Sequence, residues 1–160
     1  MHPFSFSRPR FLAFILLGLL LLPAASSAAG RGIGIGATLG EPTGATLALW
    51  VDQDEAWIVG LGVNPGDDNA VQESVDYVLY LFDIGRTVMP GLAPYAGLGA
   101  RVNGPSDGHT EFGIRFVAGA AWFPEQVNME LFAELVPILD VSPNWEIDLN
   151  AVVGLRLYGW

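Results

Sequence analysis

Alternation is the feature that leaves this chain least freedom. From Arg31 onward, segments of about ten residues carry apolar side chains at every second position, separated by clusters of Gly, Pro, Asp and Asn. A period of two belongs to β-strands with unlike faces; the 3.6-residue period of a helix would mix the two sets. Over residues 145–160, Trp145, Ile147, Leu149, Ala151, Val153, Leu155 and Leu157 share one face, while Glu146, Asp148, Asn150, Gly154, Arg156 and Tyr158 share the other. Val152 is the single aliphatic on the polar side. Upstream, Val127, Met129, Leu131, Ala133, Leu135 and Leu139 oppose Asn128, Glu130, Phe132, Glu134 and Asp140. The same rule predicts strands over 110–123, 92–102, 75–84, 57–63, 45–51 and 33–39, eight in all.

Short turns such as Gly40-Glu41-Pro42-Thr43-Gly44 and Asp52-Gln53-Asp54-Glu55 join these segments, so an antiparallel up-and-down meander is expected. Closing it into a barrel removes the exposed edges. In water the apolar face would point inward; in a bilayer the order inverts and the lumen takes the polar set. Here the polar set is dense in glycine, with Gly34, Gly36, Gly60, Gly62, Gly97, Gly99, Gly113, Gly119 and Gly154. Glycine weakens a water-facing strand but makes room in a narrow lumen that must hold Tyr and Arg. The fold expected is therefore all-β, an eight-stranded antiparallel up-and-down transmembrane barrel. Trp50, Trp57, Trp122 and Trp160 fall at the end of the barrel that holds the chain termini, and Trp145 at the other, as interfacial girdles would. Pro94 and Pro137 each forfeit a ladder hydrogen bond, which is tolerated near strand ends.

The N-terminus carries an export pattern. Arg8 and Arg10 precede an apolar run over 11–22, then Pro23 and the small residues Ala24 to Ala29 with Ser26 and Ser27 among them. This reads as a signal peptide over 1–29 followed by a barrel domain over 30–160. The apolar run is too short for a membrane helix, which needs about 20 residues. No cysteine follows it to carry an acyl anchor. The formal net charge of the chain is −10, and its seven basic residues are all Arg, two of them in the leader. So acidic a protein is not expected to bind nucleic acid.

Several segments resemble a family of small uncharacterised Gram-negative outer-membrane β-barrel proteins whose first strand ends in a Gly-Glu-Pro-Thr-Gly turn. Here those residues are Gly40, Glu41, Pro42, Thr43 and Gly44. The similarity continues through Val75-Asp76-Tyr77, Pro94-Tyr95-Ala96-Gly97-Leu98-Gly99-Ala100-Arg101, Gly113-Ile114-Arg115, the stretch over 130–140, and Val153-Gly154-Leu155-Arg156-Leu157-Tyr158. The resemblance implies an outer-membrane location, contact with membrane lipid and assembly by the outer-membrane insertion machinery, and brings no activity. One departure is that counting back from Trp160 meets Tyr158 and Arg156, where such barrels place apolar residues before a terminal aromatic.

On the face expected to point inward lie Asp76, Arg101, Glu111, Arg115, Glu130, Glu134, Glu146, Asp148 and Arg156. Carboxylates beside guanidinium groups are the raw material of an acid/base site, but also of a lumen plug. The plug is the reading preferred here, on the ground that a narrow barrel has no apolar filling and buried charges must then pair. With more carboxylates than arginines, some are expected at the rims. Asp107 and His109 are the residues to test for catalysis, since His109 is the only His after the leader; enzymatic activity is not expected. The Asn64-Pro65-Gly66-Asp67-Asp68-Asn69 loop reads as a turn rather than a calcium site. No metal or other cofactor is expected. Two alternatives stand beside the non-catalytic outer-membrane barrel: a soluble periplasmic barrel around an apolar ligand, and a narrow small-solute channel.

Overall fold

The computed structural model describes residues 31–64, 71–104, 110–142 and 144–159. The expected leader, Asp107, His109, Trp160 and most of the 64–69 loop lie outside them. Eight strands follow one another: β1 (Ile33–Gly40), β2 (Thr43–Trp50), β3 (Glu55–Val63), β4 (Val71–Tyr80), β5 (Leu92–Asn103), β6 (Glu111–Trp122), β7 (Met129–Ser142) and β8 (Glu146–Tyr158). Each pairs antiparallel with its neighbours, and β8 returns to β1 through Gly34↔Tyr158 to Gly40↔Val152, closing the barrel. The β1–β2 turn is held by Thr43, whose Oγ1 donates to Gly40 O at 2.8 Å and accepts from Gly40 N at 3.1 Å. Thr38 Oγ1 donates to Pro42 O at 3.2 Å. Gly40 has φ +127°, a conformation side chains resist, and Gly44 lies so close to the Leu61 carbonyl that a methyl there would overlap it.

The alternation sorts the two faces as a closed sheet requires. Ile35, Leu39, Leu98, Leu149 and Val153 point outward and are more than half exposed. The opposite parity points into the lumen, where Glu130 is 0% and Arg156 1% exposed. Inward glycines make the lumen wide enough for its rings: a methyl at Gly34 would fall within the ring of Tyr158, and one at Gly119 within that of Tyr95.

Three expectations change. The segment over 75–84 is not one strand: β4 ends at Tyr80, and Phe82–Arg86 form a helical turn, α1, in which Gly85 N donates to Leu81 O. Leu81 N donates to Pro94 O at 2.7 Å, and the chain then turns so that the Phe82 ring enters the end of the barrel. Pro137 lies well inside β7 rather than near its end, and the β6–β7 ladder runs from Arg115↔Ile138 to Ala118↔Leu135 in one register without a pair at Pro137, its register shifting instead at Phe112/Gly113. The missing N–H is therefore absorbed by a gap in one ladder, while Pro137↔Leu149 persists in the other. Trp50 does not join an exterior girdle. It shares parity with Thr46 and Ala48, is buried, and stacks on Tyr80 with ring centroids 4.6 Å apart. Trp57 and Trp122 remain on the outer face at that end, and Trp145 is exposed at the opposite end.

Candidate functional site in the barrel lumen

The interior is stacked in layers along the barrel axis. At the end that carries the start of β1 and the finish of β8, Trp50, Tyr80, Phe82, Phe123 and Tyr158 pack ring against ring, with centroid separations from 4.6 Å for Trp50–Tyr80 to 6.5 Å for Trp50–Tyr158. Arg31 caps this layer, its guanidinium 3.8 Å from the Phe123 ring centroid. An apolar filling is thus present, contrary to the expectation that a barrel this narrow would have none. Its material comes from residues just outside the strands, Phe82 and Phe123, as well as from strand ends.

Immediately above the rings lies a charged layer built on β7 and β8. Glu130 accepts from the hydroxyls of Tyr80, at 2.9 Å, and Tyr158, and from Arg156 Nη1 at 3.0 Å. Arg156 Nε donates to Thr46 Oγ1 at 3.1 Å, its Nη2 stands 3.8 Å from Glu134, and the Phe132 ring lies 3.9 Å from its guanidinium carbon. Tyr95 donates to Glu134 at 2.6 Å. Each ionised group therefore has several partners, the condition under which a buried pair survives desolvation. Farther along, Arg115 Nε donates to Asp76 at 2.8 Å, while Arg115 Nη1 has no partner among the described residues.

Arg101 forms the last ionic layer. Its Nε and Nη2 fork onto Asp140 at 3.2 and 2.6 Å, and Nη1 reaches Asp148 at 2.9 Å. Asn150 and Asn64 both donate to Gln72 Oε1, at 3.3 and 3.4 Å. Beyond this layer the barrel opens into a polar cavity of about 390 Å³ that includes Glu41, Glu111, Glu146 and Asp148 in its wall. Asn103 donates to Glu111 at 3.1 Å.

Of the residues singled out from sequence, Asp76, Arg101, Arg115, Glu130, Glu134, Asp148 and Arg156 engage in ion pairs. Glu111 and Glu146 stand at the mouth, and neither pairs with a guanidinium among the described residues. The turn residues Gly40 to Gly44 sit at this same rim. Asp140 was overlooked as a partner although it shares parity with Glu130 and Glu134. The hydroxyls of Tyr80, Tyr95 and Tyr158, and the amides of Gln72, Asn103 and Asn150, were missed for want of charge; inward parity was the signal that marks them all.

The fold is that of a small closed meander barrel whose interior is filled by side chains. Among solved structures it is similar to the crystal structure of the N-terminal β-barrel domain of Pseudomonas aeruginosa OprF, with a TM-score of 0.59 and 18% identity, covering 81% of this chain and 98% of that one. Comparison with protein-family models and with curated proteins gives no match.

Proposed function

We propose that this protein is a small outer-membrane β-barrel without enzymatic activity, exported by the leader over 1–29 and anchored by the barrel over 30–160. Its role is structural or one of envelope interaction, and its lumen is closed by Arg–carboxylate pairs and an aromatic layer. The observation that carries the reading is the inverted burial: Leu149 is 58% exposed while Glu130 is 0%. The lumen charges are desolvated in either medium and rely on their named partners, but a water-soluble barrel would also have to leave a largely apolar exterior in water, whereas hydrocarbon makes that exterior favourable. The OprF barrel domain supports the same reading through its fold alone. Lipid is the partner of the outer face, and the insertion machinery that of assembly. Strand ends bearing the termini face the periplasm, so the polar cavity opens outward.

The test is to replace an outer residue near the middle of β8. Val153→Arg or Leu149→Arg is expected to cost about 2–4 kcal/mol near the bilayer midplane, so that heat-modifiable electrophoresis of membrane fractions shows the folded band depleted. Normal membrane insertion of both variants, or a mature protein that is monomeric and folded in detergent-free buffer, would overturn the proposal.

A further inference from the structure

One carboxylate interrupts the apolar outer face of the barrel. Glu73 has outward parity with Val71 and Val75 on β4, and its register neighbours are Leu61 on β3 and Val102 on β5. It does not sit at a rim. The apolar exterior continues past it toward the mouth through Val63, Val71 and Phe112, each more than a third exposed. Contacts inside the barrel fix its depth. Gln72, the adjacent residue, accepts from the Asn150 amide across the lumen at 3.3 Å, and Asn150 lies between the outward-facing Leu149 and Ala151 on β8. Glu73 therefore stands at about the level of Leu149, within the hydrocarbon band of the barrel proposed above. The other strand carboxylate of outward parity, Glu55, lies at the terminus-bearing rim and accepts from the Tyr77 hydroxyl. Glu73 has no such donor among the described residues. Every described arginine is engaged elsewhere: Arg101, Arg115 and Arg156 with lumenal carboxylates, Arg86 with Asp83, and Arg31 over the Phe123 ring. The chain has no lysine.

An ionisable side chain set among acyl chains without a partner is costly, which is why such residues ordinarily pair within the membrane. We infer that the face around Glu73, on β3 to β5, docks another integral membrane protein whose lipid-facing surface presents an arginine or lysine at the same depth. Charge complementarity selects this occupant. A cation on a lipid-facing surface is penalised too, so pairing relieves both partners, and a charge-assisted bond to the carboxylate fixes their orientation. Leu61, Val71, Val75 and Val102 surround the carboxylate with short aliphatic side chains that let a neighbour approach closely. A second copy of this chain does not fit, because no described strand residue of outward parity is basic. The inference rests on the bilayer reading of the outer face.

The mature protein is folded into vesicles of dilauroylphosphatidylcholine at neutral pH, with a donor dye on Val88→Cys, the single thiol in a chain that has no cysteine of its own. The probe is a synthetic membrane-spanning leucine–alanine helix that carries one central arginine and an acceptor dye. Saturable energy transfer is expected, weakened about tenfold when leucine replaces the helix arginine or when the barrel carries Glu73→Gln, and unchanged by Glu125→Gln outside the strands. Without the helix, Glu73→Leu should raise the midpoint of urea unfolding, since it takes an unpaired carboxylate out of hydrocarbon. Equal transfer with both helices, transfer unmoved by Glu73→Gln, or a Glu73→Leu midpoint that stays or falls, the mark of a carboxylate already satisfied by water or lipid headgroups, would each overturn the inference. So would Glu73-dependent transfer between donor-labelled and acceptor-labelled barrels, the mark of a second copy. Failure of the bilayer reading shows itself separately, as normal insertion of Val153→Arg or a mature protein folded in detergent-free buffer.

Discussion

The two ends of the lumen solve the same problem differently. At the terminus-bearing end, rings from Trp50, Tyr80, Phe82, Phe123 and Tyr158 close the barrel, and two tyrosine hydroxyls seat Glu130 beneath Arg156. At the mouth, Arg101 binds one buried and one half-exposed aspartate, amides fill the gaps, and a cavity remains. The first arrangement excludes water and leaves each charge dependent on its named partners. The second keeps water at hand as a substitute partner. Loss of a group should therefore be expensive at one end and mild at the other, even where the pairs look alike on a distance list.

The sharpest way to break this contrast is Glu130→Ala, which strands Arg156 and two hydroxyls in a dry layer. It should destabilise the barrel by about 3–5 kcal/mol, read as a lowered midpoint of urea unfolding in lipid vesicles. Gly119→Ala comes next. Its methyl would occupy the space of the Tyr95 ring and dislodge the bond to Glu134, at a cost of about 1–3 kcal/mol by overpacking. Asp148→Asn should cost only about 0–1 kcal/mol by the same measurement, because Arg101 keeps its fork on Asp140 and water reaches the site. If Asp148→Asn proves as damaging as Glu130→Ala, the two ends are equally dry and the contrast fails.

The alternation made the closed meander readable in advance, since a face containing Ile35, Leu98 and Leu149 cannot exchange with one containing Asp76, Arg101 and Glu130 without a one-residue slip. Local signals failed where tertiary packing decides. Phe82 keeps inward parity with Val78 and Tyr80, so the pattern continued across a place where the backbone had already turned into α1. Trp50 drew attention as a strand-end Trp, and its parity with Thr46 and Ala48 was the better guide. Which carboxylate meets which guanidinium was beyond the pattern altogether: Arg156 reaches Thr46 from β8 to β2, and Arg101 reaches Asp140 from β5 to β7. Such meetings across non-adjacent strands depend on barrel stagger and on the β6–β7 register shift at Phe112/Gly113, neither of which a single strand encodes.

The seam between β1 and β8 has a consequence for biogenesis. Residues such as Gly36 and Arg156 become neighbours only after nearly the whole polypeptide has been threaded, and until then both outermost strands carry raw, unpaired backbone. Closing this junction removes both open borders of the sheet at once. A nascent chain lacking its final strand would have no half-finished resting state to occupy, and chaperones would have to shield two ribbons instead of none.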